Sequence, residues 1–299
     1  MEITRLADLK PRTVWEITDD AFDLYRERFA LLVGVSAVVF APAYLLASTA
    51  GAAALRRFDS AFDGPDAFGR FALDMAWLIP VLFGAYILHY GATALAVRDI
   101  LTGEPATLGN VYKRAFRRVL PLLFASILIG LIGFVSVCIT VGPVLVAAYY
   151  CFTAHGILLE ERKLGDSLKR SRDMAQSYFG KSLGLLCLMG FVILALAVGI
   201  QSLVALVFAL IPKESGTATA FELKTVEELV GTVAGSVIAV LIAPLPAIAT
   251  TLLYYDLRVR REGLDVESEA AEWGVTLAPD PFGGILNPKI PKPKGGRKP

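Results

Sequence analysis

Long apolar runs fill most of the chain, and Lys and Arg residues are concentrated in alternate gaps between them. Six runs are apolar enough to cross a membrane, at about 29–55, 71–97, 119–138, 141–159, 182–211 and 229–255. One crossing of the hydrocarbon core needs about 20 apolar residues. The third and fourth runs form a single uncharged stretch, which we divide at Thr140, Gly142 and Pro143 because it is too long for one crossing. The pattern predicts an all-α integral membrane protein with a six-transmembrane-helix bundle.

A shorter segment with helical periodicity precedes each pair of spans. The segments are 13–28, 107–118 and 164–178, and each has an apolar stripe on one face and charged residues on the other. Thr13 and Glu16 predict a capping box at the first of them. The chain is therefore interpreted as a pseudo-threefold repeat of amphipathic helix, span and span. We expect the three amphipathic helices to lie on the inner leaflet; the alternative is that they are solvated loop helices.

The distribution of basic residues predicts the orientation. Of the 29 Lys and Arg residues, 24 lie before the first span, after the second, after the fourth or after the last. Because basic residues accumulate on the cytoplasmic side, we predict that both termini are cytoplasmic. The net charge of +1 gives no basic surface for nucleic acid. Seven basic residues are expected to contact anionic lipid headgroups: Lys113, Arg114, Arg117, Arg118, Lys169, Arg170 and Arg172.

These patterns divide the chain into four parts. Residues 1–28 form a cytoplasmic amphipathic helix, 29–255 the membrane domain, 256–278 a cytoplasmic helix extension, and 279–299 a disordered tail. The tail is predicted from its Pro, Gly and Lys content, since it has too few apolar residues to fold alone.

The last span has small residues four positions apart, at Gly231, Gly235, Ala239 and Ala243. Small residues let transmembrane helices approach closely, which predicts a central position for this helix. Pro244 and Pro246 should kink it. The interpretation as plain helix packing stands beside a second one, in which the prolines form a hinge or line a cavity as in transporters with broken helices.

Few polar residues lie deep in the predicted spans. His89 and Gln201 are the deepest, and with Pro244 and Pro246 they form a candidate cavity; neutral packing residues are the alternative. The two His residues are 66 positions apart, and the sequence has no zinc-binding motif. We expect no catalytic residue, no metal and no cofactor.

The stretch after the last span is a candidate motif for contact with a partner. Its residues are Tyr255, Asp256, Arg258, Arg260, Glu262, Gly263 and Asp265, with i,i+4 charge pairs and a glycine stop. Together with 21–29 and 160–178, it resembles the bacterial family named for the membrane domain of glycerophosphoryl diester phosphodiesterase. The resemblance implies the membrane part alone, in a bacterial plasma membrane, because the catalytic motifs of the hydrolase barrel are absent.

We therefore expect a non-enzymatic polytopic membrane protein. The first hypothesis is a scaffold or accessory protein that binds membrane lipids or a partner protein at the inner face. The alternative is a permease or exporter for a small amphipathic or lipid-like molecule.

Overall fold

A computed structural model describes residues 12–60, 67–138, 141–210, 220–262, 277–279 and 285–288, and almost all of them are helical. The helices are α1 (Val14–Glu27), α2 (Phe29–Ser60), α3 (Ala67–Ala76), α4 (Leu78–Thr102), α5 (Leu108–Arg117), α6 (Val119–Val135), α7 (Gly142–Tyr150), α8 (Thr153–Leu158), α9 (Leu164–Ser177), α10 (Phe179–Leu210), α11 (Ala220–Ile242) and α12 (Pro244–Glu262). Two short strands, β1 (Leu277–Pro279) and β2 (Ile285–Pro288), pair antiparallel.

Local sequence signals determine several helix ends. The predicted capping box is confirmed: the Glu16 amide donates to Thr13 Oγ1 at 3.3 Å, and the Thr13 amide donates to Glu16 Oε2 at 2.5 Å. α4 stops at Gly103, whose φ of 72° lies in the left-handed region that glycine adopts at little cost. The helix break at Ala243 separates α11 from α12, where Pro244 and Pro246 predict a kink.

Five helical segments are long and apolar enough to cross a membrane, which is compatible with a multi-pass membrane protein. They are Phe29–Gly51, Phe71–Thr102, Val119–Cys138, Phe179–Val207 and Val233–Arg261. The fourth predicted span, at 141–159, is not among them. The chain leaves the helix at Cys151 and Phe152, so this segment is a shorter apolar pair, α7 and α8, over Gly142–Leu158.

The last long helix lies at the centre of the bundle, as its small residues predict. In the most apolar window of Val233–Arg261, 61% of the residues are buried, against 11–22% in the other four segments. Those four expose large apolar side chains on their outer faces, among them Phe124 and Phe191. Such a surface suits contact with lipid chains, whereas the central helix packs against protein.

The amphipathic helices run back along the ends of the long helices. The Arg12 amide, just before α1, contacts Asp256, while Tyr25 near its end donates to the Leu241 carbonyl at 2.8 Å. α1 therefore lies antiparallel to α12. The other two helices pack in the same way: α5 returns along the end of α4, with Ala115 near Gly91, and α9 returns along α8, with Ser167 against Gly156.

These three pairs form what we call the helical head: residues 12–28, 91–118, 151–178 and 244–262. Its core is the most tightly buried part of the described chain. The stripe of α1 (Ile17, Ala21 and Leu24) is at most 2% exposed, and Ala115 and Ala175 on α5 and α9 are completely buried. The expectation that these stripes lie on the inner leaflet is wrong, because other helices of the same chain cover them.

The remaining sequence-based boundaries have mixed outcomes. α12 continues to Glu262, so residues 256–262, where the predicted helical extension begins, are helical. The rest of that extension lies outside the described residues up to position 276. Of the tail from 279, the structure describes Pro279 and the strand β2, and its predicted disorder stays a prediction.

The burial pattern predicts that truncating a side chain in the head destabilises the protein more than truncating one on the outer apolar surface. Leu24→Ala removes a side chain that is 2% exposed and should lower the free energy of unfolding by about 2–5 kcal/mol. Leu131→Ala, at a position 58% exposed, is the matched control and should have little effect in detergent. Thermal unfolding in a mild detergent measures both, and equal losses would contradict the assignment of the core to the head.

Candidate functional site

Asp256 is the centre of the first of three buried charge clusters in the head. Its side chain is 1% exposed. Asp256 Oδ1 accepts the Arg12 amide at 2.7 Å, and Oδ2 accepts the ammonium of Lys181 and, at 3.1 Å, the guanidinium of Arg260. Lys181 and Arg260 also donate to the Arg12 carbonyl. The cluster therefore joins α12 to the chain before α1 and to the start of α10.

Glu160 is the centre of the second cluster, just after α8. Its carboxylate accepts hydrogen bonds from the Tyr254 hydroxyl and from the guanidinium groups of Arg162 and Arg170, the last at 3.0 Å. The guanidinium of Arg258 lies 3.6 Å from the same carboxylate. The guanidinium of Arg258 also lies 6.0 Å from the centre of the Tyr254 ring. A single carboxylate thus holds residues of α9 and α12 together.

Asp99 forms the third cluster with Arg114. Its side chain is 2% exposed and accepts the Arg114 guanidinium, which joins the end of α4 to α5. A more exposed pair, Arg118 with Glu161 at 3.1 Å, links the start of α6 to the loop after α8. Each cluster therefore fixes an amphipathic helix, or the residue that precedes it, to the end of an apolar helix.

Electrostatics support the ionised form of Glu160. Burial raises the pKa of this carboxyl, but the hydrogen bond from Tyr254 and the charges of Arg170 and Arg258 more than compensate. The pKa of Glu160 is lowered from 4.5 as a result. The opposite holds for Asp20, which pairs with Arg12 at 2.6 Å: burial raises its pKa, and the arginine only partly opposes that effect.

Two cavities lie between the long helices, next to the helical head. The larger, of about 770 Å³, lies between α2, α4, α10 and the junction of α11 with α12. The smaller, of about 370 Å³, lies between α4, α6, α7, α8, α10 and α12. Tyr86 and Pro246 line both, so the cavities are neighbours.

Hydrogen bonds from histidine and tyrosine stabilise the broken helix beside these cavities. His89 Nε2 lies 3.1 Å from the Ala243 carbonyl, so Nε2 must carry the proton. His155 Nε2 lies 3.0 Å from Thr251 Oγ1, and Tyr90 Oη lies 2.7 Å from Thr250 Oγ1. Both threonine hydroxyls donate to carbonyls of their own helix, so the ring groups act as donors to them.

The larger cavity includes some of the residues that the sequence predicts for a cavity. Gln201 and Pro246 line the larger cavity, and so do three of the four small residues, Gly235, Ala239 and Ala243. His89 is buried in contact with Ala243, and it lines neither cavity; nor does Pro244. Of the stripe, Gly235 lies so close to Tyr44 that a Cβ would be 2.8 Å from the hydroxyl, whereas Gly231 has open space.

The prediction of a partner-binding motif after the last span is wrong for its central residues. Tyr255 and Asp256 are 4% and 2% exposed, because they pack inside the head. Arg260 pairs with Asp256 as the i,i+4 spacing predicts, and Arg258 contacts Glu160. Outside the described part of the chain lie Gly263, Asp265 and the side chain of Glu262.

The predicted lipid-binding cations fall into three groups. Arg114 and Arg170 point into the head and pair with Asp99 and Glu160, so their assignment to headgroups is wrong. Arg118 pairs with Glu161. Lys113, Arg117, Lys169 and Arg172 are exposed on α5 and α9, and their contact with headgroups stays a prediction.

Sequence reasoning missed Asp99, Lys181 and Tyr254, and it included Glu160 only as the start of the segment 160–178 in the family resemblance. The available signal was an acidic residue within two positions of the end of an apolar run, which occurs at Asp99, Glu160 and Asp256. Within the described residues, no group of three His, Cys, Asp or Glu side chains is placed to hold a metal ion.

Comparisons with known proteins found no match among protein-family models, curated proteins or solved structures.

Removing the Asp256 carboxylate should destabilise the head. Asp256→Ala leaves Lys181 partly buried without its carboxylate, and loss of one partner of a buried pair costs about 3–5 kcal/mol. The control is Asp23→Ala, which removes an exposed pair with Arg26 and should cost less than about 1 kcal/mol. Unfolding in detergent compares the variants, and an Asp256 variant as stable as the control would refute the structural role.

Glu160 should make stability depend on pH. Because the folded-state pKa is lowered, its contribution is fully present above the unfolded value near 4.5 and is lost as pH falls through the folded-state pKa. Glu160→Gln should therefore be less stable than the native protein at neutral pH, and the difference should shrink as pH falls below about 4.5. A difference that stays constant from neutral to acidic pH would rule this out.

Proposed function

We propose that this chain is a non-enzymatic multi-pass protein of a bacterial plasma membrane, with both termini cytoplasmic and six crossings. The pair between Arg118 and Glu161 supports the sixth crossing, because it joins the start of α6 to the end of α8. The chain must therefore return through α7 and α8 to the level from which α6 departs. Their 17 residues span about 26 Å of helix, slightly less than a hydrocarbon core, and local thinning can accommodate that difference.

The pseudo-threefold repeat is part of the same proposal. Its support is the order of the charge contacts. Asp99 follows the first apolar pair and contacts α5, which opens the second unit; Glu160 follows the second pair and contacts α9, which opens the third. Asp256 follows the third pair and accepts the amide of Arg12 beside α1, which returns to the first unit. The proposal includes membership of the bacterial family named for the membrane domain of glycerophosphoryl diester phosphodiesterase. Its support is the likeness of the segments 21–29 and 160–178 and of the stretch after the last span.

The proposed role is that of an accessory protein that binds anionic lipid at its cytoplasmic face. The observation behind it is a group of exposed cations on α5 and α9. Asp99, Glu160 and Asp256 face inward and are paired, whereas Lys113, Arg117, Lys169 and Arg172 remain exposed. Each exposed cation near an anionic leaflet contributes about 1 kcal/mol of attraction. We call these four residues the basic rim.

Native mass spectrometry after extraction in mild detergent tests this role. The protein is equilibrated with mixed micelles that contain equal amounts of phosphatidylglycerol and phosphatidylcholine. We expect preferential retention of phosphatidylglycerol, and replacement of the four rim residues by Gln should remove most of that preference, since each contributes about 1 kcal/mol.

The matched control is Arg26→Gln. Arg26 is also exposed on the head, but it already pairs with Asp23 at 2.6 Å, so its removal should leave lipid preference unchanged. Equal retention of both lipids by the native protein would overturn the role of the basic rim, as would an unchanged preference in the fourfold variant.

Export or uptake of an amphipathic molecule is the second candidate. The helix break at Ala243 favours it, because the larger cavity lies directly against the break and broken helices mark binding sites in many transporters. Movement of a fluorescent lipid between the leaflets of vesicles that contain the purified protein would support this candidate, and movement no faster than in empty vesicles would reject it.

A further inference from the structure

The two cavities together have the dimensions of a ligand site. Their volumes are about 770 and 370 Å³, within or near the range of sites that enclose small organic molecules. Tyr86 and Pro246 form the boundary between them. Neither cavity is fully enclosed, so a molecule outside the protein can reach them.

The lining is apolar and uncharged. In the larger cavity, the side chains of Phe40, Ile193 and Ile238 dominate, and the polar groups are the amide of Gln201 and hydroxyls such as that of Tyr44. None of the described residues that line either cavity is an Asp, Glu, Lys, Arg or His. A charged headgroup inside would lose its hydration without gaining a counter-ion, which costs several kcal/mol.

The smaller cavity has a hydroxyl without a partner. Thr153 is 1% exposed and lines this cavity, yet its Oγ1 forms no hydrogen bond among the described residues. A buried polar group without a partner is unfavourable, and a hydrogen bond from a ligand would remove that cost. Tyr86, Tyr90 and Tyr150 line the same cavity, and tyrosine is typical of the level at which hydrocarbon meets polar groups in a bilayer.

We propose that the two cavities form one binding site for a neutral lipid, a molecule with long hydrocarbon chains and a small hydroxyl-bearing end, such as a diacylglycerol. An acyl chain occupies the larger cavity, and the hydroxyl-bearing end lies in the smaller one, where Thr153 supplies a hydrogen bond. This inference rests on the membrane placement proposed above and is independent of the basic rim.

Photolabelling tests the site. The protein is placed in phosphatidylcholine nanodiscs with a diacylglycerol that has a diazirine in one acyl chain, or with phosphatidylglycerol that has the same chain. We expect diacylglycerol to label residues of α10 and α11 around the larger cavity, including Ala197 and Ile238. Labelling there should exceed that by phosphatidylglycerol about tenfold or more, since a buried unpaired charge costs more than 1.4 kcal/mol.

Ala197→Phe fills the larger cavity and should abolish most of the labelling by diacylglycerol. Leu194→Phe is the matched control, because Leu194 lies on the same helix but is 62% exposed and lines neither cavity. Thr153→Val keeps the shape of the side chain and removes its hydroxyl, so labelling should fall about twofold to tenfold. This variant provides the test if Ala197→Phe does not fold.

Equal labelling of the cavity by the charged and neutral probes would overturn the proposal. So would labelling that the Thr153 and Ala197 variants leave unchanged. Equal retention of phosphatidylglycerol and phosphatidylcholine by the native protein, with normal diacylglycerol labelling, would reject the basic rim and keep the cavity site, which separates the two proposals.

Discussion

Buried carboxylates need partners, and this requirement organises the head. Asp99, Glu160 and Asp256 each lie at the end of an apolar helix, and none is more than 9% exposed. A carboxylate in such surroundings stays ionised only when cations and hydrogen-bond donors surround it. The donors come from the amphipathic helices, from the chain around Arg12 and from the start of α10. The same contacts therefore fix these short helices in place against α4, α8 and α12.

This arrangement explains why the tightest packing is found in the head, while the long helices have large exposed apolar surfaces. Lipid chains are as apolar as leucine, so the long helices gain little by packing against one another. The head has charged outer faces and buried stripes, like a small soluble helical domain. The two cavities lie where these two kinds of packing meet.

Much of the local structure could be predicted from the sequence. The capping box at Thr13 and Glu16, the break at Pro244 and Pro246 and the central position of the last helix follow from residue types within a few positions of each other. The charge clusters could not be predicted, because their partners are far apart in the chain: Glu160 contacts Tyr254, and Arg12 contacts Asp256.

An apolar stripe shows which face of a helix is covered, without showing whether lipid or protein covers it. That is why Ile17, Ala21 and Leu24 were assigned to the leaflet. Hydropathy does not register the interruption at Cys151 and Phe152, so the sequence predicts one long helix where the structure has the shorter pair α7 and α8.

Other helices of the same chain cover the apolar stripes of all three amphipathic helices. The most direct test places a single cysteine at Ala21, Ala115 or Ala175 in a background without Cys138, Cys151 and Cys187. All three alanines are completely buried, one on each helix. The reactivity of each thiol is measured in vesicles with a water-soluble and with a lipid-soluble maleimide. We expect slow modification by both reagents at all three positions, because other helices cover the alanines. Rapid modification by the lipid-soluble reagent alone would show that the stripes face the leaflet and are not covered by protein.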